Sequence, residues 1–61
     1  MFADRVKKFR EKNKLTQMEV ANFMGVTHTA VGKWELGKGM PRASALPKLA
    51  KLYKCTVGDF F

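Results

Sequence analysis

The sequence predicts an all-α domain of short helices around one core, and three observations carry that expectation. Apolar residues recur at helical spacing, residues able to cap a helix precede most of these runs, and glycine or proline follows the middle ones. Sixty-one residues leave room for one domain, residues 1–61, near the size at which a chain buries roughly 60% of its unfolded surface. Hydrophobic residues are 46% of the chain and arrive in interrupted groups, none approaching the ~18 apolar residues of a membrane span.

Phe2, Val6, Phe9 and Asn13 lie along one stripe and predict an amphipathic first helix, with Lys7, Lys8, Glu11 and Lys12 on its solvated side. Arg10 falls beside the stripe, where a charge needs a partner. Leu15 followed by Thr16-Gln17-Met18-Glu19 is a capping-box arrangement, so a second helix is expected from Gln17, with Val20, Ala21 and Met24 inward and Gly25 supplying a left-handed end. Thr27 caps a third helix from His28 to about Leu36, stopped by Gly37 and the Gly39-Met40-Pro41 segment. Ser44 is the expected cap of a fourth helix, Ala45 to Tyr53, with Pro47 in its first turn and Leu46, Leu49, Ala50 and Tyr53 on one side. Thr56 introduces a last helical turn, Val57 to Phe61, whose Val57, Phe60 and Phe61 pack inward or against another subunit.

Twelve Lys and Arg against five Asp and Glu give a net charge of +7, which favours an anionic partner, nucleic acid first and an anionic membrane surface second. Interrupted apolar groups and glycine-marked turns argue for a compact core over one long surface-seeking helix, so no membrane partner is expected. Met1-Phe2-Ala3-Asp4-Arg5 reaches charge at once, unlike a signal peptide, and points to the cytoplasm. A lone Cys55 makes no internal disulfide and reads as a small apolar residue. One His, one Cys and five scattered acids supply no nucleophile with its base, no paired carboxylates and no metal cluster; no enzyme activity and no cofactor are expected.

Residues 17 to about 36 form a helix-turn-helix candidate in which Ala21 permits close helix approach, Gly25 makes the turn, and Val20, Met24, Val26, Val31 and Trp34 lock the two helices. With His28 at 0° and about 100° per residue, Gly32 falls at ~40°, Thr29 at ~100° and Lys33 at ~140°, whereas Ala30, Val31 and Trp34 occupy the opposite arc. The third helix is therefore anchored on one side and exposed on the other, and a major groove about 12 Å wide accepts such a helix.

Arg10, Leu15-Thr16-Gln17, Val20-Ala21, Gly25-Val26-Thr27, Val31, Trp34-Glu35, Gly37-Lys38, Leu49-Ala50 and Val57 together resemble the Cro/C1-type helix-turn-helix domains of phage repressors and related bacterial regulators. The resemblance implies a compact five-helix, lambda-repressor-like fold and a homodimer on a palindromic double-stranded DNA operator. It places the third helices in successive major grooves about 34 Å apart. Carried over by position, Thr16, Gln17 and Thr27 meet the DNA backbone, Gln17 also reaches a base, and His28, Thr29 and Lys33 face base edges. Arg10 and Glu35 are implied as an ion pair between the first and third helices. Lys38 and Arg42, in a basic loop, are expected at phosphates or in solvent. Lys33 can donate to guanine O6 or N7, Thr29 can touch a thymine methyl and His28 can donate or accept, although a phosphate contact also satisfies Lys33.

Three departures stand out. Gly32 removes a side chain from the reading face, which either allows close approach or leaves the readout sparse. Met18 and Phe23 are apolar where the family commonly has polar residues, so local packing and a partner-binding patch are both open. Transcriptional repression is the function this resemblance implies first; the alternative is a protein-interaction module, such as an antitoxin-like partner-binding domain, using Met18, Phe23 or Phe60-Phe61.

Overall fold

The computed structural model describes Met1–Phe61 and contains four α-helices, α1 (Phe2–Lys12), α2 (Gln17–Met24), α3 (His28–Leu36) and α4 (Leu46–Leu52), with no strand. Tight 3₁₀ turns occupy Ala43–Ala45 and Val57–Phe60. No helix is long and apolar enough to cross a membrane.

The first three helix starts fall where the sequence places them. Thr16 Oγ1 accepts from the Glu19 N–H at 3.1 Å while the Thr16 N–H donates to Glu19 Oε1 at 2.7 Å, completing the capping box. Thr27 Oγ1 accepts from the Ala30 N–H at 3.1 Å at the head of α3. All four helices end the same way, through a backbone bond reaching five residues back: Leu15 to Arg10, Val26 to Ala21, Lys38 to Lys33 and Cys55 to Ala50. The residue before each of these donors is left-handed. Two are glycines, Gly25 at φ 70° and Gly37 at φ 73°, and two are lysines, Lys14 and Lys54, both at φ 57°.

Two expectations need correction. The implied fifth helix is a single 3₁₀ turn: Asp59 N donates to Thr56 O and Phe61 N to Gly58 O, the three-residue spacing of the tighter helix. A second capping box, Thr56 with Asp59, closes its start. Nor does Ser44 cap the fourth helix. It lies inside the Ala43–Ala45 turn, whose Ala45 N–H is taken by Arg42 O, so α4 begins at Leu46 without a side-chain cap. Pro47 sits in that first turn, where its missing N–H leaves no bond unmade.

Every helix contributes to one core of Val6, Val20, Ala21, Val31, Trp34, Leu49, Ala50, Tyr53 and Phe60. Phe60, from the final turn, is fully buried and stands edge-on to Phe2, Phe9 and Tyr53, with ring centroids 5.9, 6.1 and 6.2 Å away. Phe61 turns outward and lies against Phe2 at 5.4 Å. Asn13 ties the end of α1 to the end of α4, donating to Phe9 O and Tyr53 O at 2.8 and 2.9 Å. Cys55 is half-buried against the core, and burial pushes its thiol pKa up, which keeps it a neutral, apolar group.

Candidate nucleic-acid interface

The third helix is two-sided, as its angular pattern requires. Val31 and Trp34 are buried, and His28, Thr29 and Lys33 are exposed. A glycine at position 32 leaves a shallow notch in the exposed side, with Gln17 Oε1 3.9 Å from where a Cβ would stand. That distance brings Gln17, at the head of α2, against the exposed face of α3. Gly39 returns along the same helix, its notional Cβ 3.5 Å from Lys33 Cβ, so the loop carrying Lys38 lies beside Lys33. Arg42 is exposed at the start of the Ala43–Ala45 turn.

Beneath this surface is one polar seam. Arg10 Nε donates to Glu35 Oε2 at 2.6 Å and its Nη2 to Glu35 Oε1 at 3.0 Å, a bidentate pair between α1 and α3. The side chains keep 12% and 3% of their exposure. A third guanidinium bond, Nη1 to Leu15 O at 2.8 Å, ties in the α1–α2 turn, and Gln17 Nε2 donates to Glu35 Oε1 at 3.0 Å. Burial alone pushes the Glu35 pKa up, but bonds from Arg10 and Gln17, aided by the charges of Arg10 and Lys7, outweigh it and hold the group below its ordinary value. Hydrogen bonding to Glu35 raises Arg10 in turn. The ion pair implied by the family resemblance is thus present, and it also anchors Gln17.

Geometry constrains what each expected contact has left to offer. Thr16 and Thr27 spend an acceptor lone pair on their own helix, which leaves each hydroxyl proton free to donate outward. One Gln17 N–H is spent on Glu35, while its Oε1 faces the Gly32 notch. Lys33 and Lys38 have no ion-pair partner, so both charges are free. On the outer side of α2, Lys48 Nζ lies 5.2 Å from the centre of the Phe23 ring, and Phe23 and Met18 are both half exposed.

The net charge is distributed differently from what the sequence suggests. Of the twelve Lys and Arg, Lys33, Lys38 and Arg42 belong to this region and Arg10 is bound in the seam. The others lie on α1, on α4 and in the turns after them. Arg5, Lys8 and Lys12, with Phe9 and Asp59, line an open groove of about 330 Å³. Their i, i+3, i+7 spacing was the available signal, and it reads equally as a solvated helix face.

A family model described as Helix-turn-helix matches residues 6–60. The chain is 38% identical to the SPbeta prophage-derived uncharacterized HTH-type transcriptional regulator YonR of Bacillus subtilis, over 85% of this chain and 48% of that one. It is 33% identical to the HTH-type transcriptional activator BcrR of Enterococcus faecalis, over 95% of this chain and 28% of the other. With the cryptic phage CTXphi transcriptional repressor RstR of Vibrio cholerae it shares 32% identity, over 97% and 53%. The chain therefore spans about half the length of these relatives or less. No solved structure matches it.

Proposed function

The chain belongs to the Cro/C1-type helix-turn-helix family, and from that premise we propose that it is a sequence-specific double-stranded DNA-binding transcriptional regulator, a repressor acting as a homodimer on a palindromic operator. In this reading it is a cytoplasmic binding protein, not an enzyme. The observation that carries it is the two-sidedness of α3: Val31 and Trp34 lock one side into the core, and His28, Thr29 and Lys33 project from the other beside an anchored Gln17.

The side chains divide by chemistry. His28, Thr29 and Lys33 meet base edges, and Gln17 Oε1 accepts from a base amino group above the Gly32 notch. Thr16 and Thr27 hydroxyls, with Lys38 and Arg42, hold phosphates and set the register. Gly32 serves close approach, since the helix backbone meets the groove floor without a side chain between. Occupying an operator is enough to exclude polymerase, so repression asks nothing of this domain beyond the DNA contacts themselves.

The test is selection of bound molecules from a random duplex pool at near-physiological salt. Enrichment of a two-fold-symmetric site is expected; failure of a folded protein to enrich any site would sink the proposal. On the selected site, Lys33→Ala should change preference at one base position by about 1–3 kcal/mol, whereas Lys38→Ala should weaken all sequences evenly and flatten the salt dependence.

A further inference from the structure

The two flanks of α1 do different things. At about 100° per residue, Ala3, Lys7 and Arg10 share an arc of about 60°. This flank meets α3: Arg10 binds Glu35, and Gly37 lies against Ala3. Arg5, Lys8 and Lys12 share another arc of about 60°, roughly 170° round the helix. That second flank, with Phe9 and Asp59, forms the open groove described above. Arg10–Glu35 is the only ion pair in the protein, so no salt bridge ties down the three cations of the groove, and the single carboxylate among them, Asp59, offsets only part of their charge from the side of Arg5.

We propose that this groove docks an acidic protein segment carrying an apolar side chain, on a flank that leaves the α3 face free. The cations span about 10 Å along α1, the reach of carboxylates on two turns of a facing helix. Phe9, half-buried and edge-on to Phe60, offers an apolar seat along one edge of them. Asp59, whose carboxylate is held by the Thr56 N–H at 2.9 Å, stands at the rim. A second DNA duplex fits less well, because its unbroken phosphates meet Asp59 and make no use of Phe9. An acidic peptide gains from the ring and can offer an N–H to Asp59. The surface thus suits a protein partner held while the operator face is occupied.

The probe is a fluorescein-labelled helical peptide with Glu at i, i+4 and i+7 and one Leu, titrated with the whole chain by fluorescence anisotropy at physiological salt. The combined change R5Q, K8Q and K12Q should weaken binding about ten-fold, and K48Q, K51Q and K54Q, equal in charge, less than about three-fold. Lys8→Glu alone, a single exposed change, should give about a five-fold loss in a protein whose melting is unaltered. A short duplex added first should not displace the peptide. Equal losses in the two triple variants would reduce the effect to diffuse attraction, and displacement by duplex would place the peptide on the α3 face. No peptide binding, or a loss of duplex affinity as large as that of peptide affinity in the α1 variant, would also overturn the proposal.

Discussion

The two sides of α1 are joined to the rest of the protein by different forces. Toward α3 the joint is a polar seam, in which Arg10 divides three hydrogen bonds between Glu35 and Leu15 while Gln17 shares the same carboxylate. Toward the C-terminal turn it is aromatic, with Phe60 wedged edge-on among Phe2, Phe9 and Tyr53. Ring packing gains from area and tolerates small shifts, whereas a bidentate pair has one good geometry and loses its value when that geometry goes. The seam therefore lies where position matters, directly under the candidate reading face, and the rings lie where only burial is required.

Substitutions can test that division, beginning at the aromatic joint. Phe60→Ala should cost about 3–5 kcal/mol in urea or thermal unfolding, because three rings lose their common partner. A cost below about 1 kcal/mol would mean that the seam, not the rings, carries the fold. Glu35→Gln should cost about 3 kcal/mol, near the lower end for a broken buried pair, since Arg10 keeps 12% of its exposure. It should also reduce operator affinity by more than its stability loss explains, by freeing Gln17.

The same carboxylate sets a pH dependence. Its folded-state pKa is depressed below the ordinary 4.5, so its contribution is present above that pH and is lost as pH falls through the folded value. Unfolding measured from neutrality downward should show the wild-type protein losing this contribution below pH 4.5, and Glu35→Gln following a flatter curve; parallel curves would remove Glu35 from the acid response.

Smaller effects separate the helix ends. Gly25→Ala should cost about 1–2 kcal/mol for a side chain at φ 70°, while Lys54→Gly, at the equivalent place after α4, should stabilise by up to about 1 kcal/mol. The smallest change tests the aromatic joint from inside. Tyr53 is buried with no partner for its hydroxyl, which burial drives to a raised pKa, so Tyr53→Phe should leave stability within about 1 kcal/mol of wild type or raise it. A clear loss would show that the hydroxyl belongs to the Arg10–Glu35 seam.

Much of the fold was legible because the signals that mark it are local. Thr16 with Glu19, Thr27 ahead of Ala30, and glycines at two helix ends act within a few residues, so composition and spacing suffice to place α2 and α3. Where the local signal was ambiguous, the structure decided: Ser44 has the chemistry of a cap yet lies within a 3₁₀ turn, and lysines take the left-handed positions after α1 and α4. Exposure of His28, Thr29 and Lys33 also followed from helical angles alone, once Trp34 and Val31 were turned inward.

Local pattern was enough to place α1 to α3, the Thr16 and Thr27 caps and the two-sidedness of α3, and family resemblance added the pairing of Arg10 with Glu35. Packing, by contrast, was needed to show that Gln17 hangs from that pair, that Phe60 and not Phe61 is the aromatic hub, and that most of the positive charge lies away from the α3 face. Caps and periodicity are set by neighbours within one turn, whereas a hydrogen bond from position 17 to position 35, or a groove between α1 and residue 59, exists only after distant segments have packed.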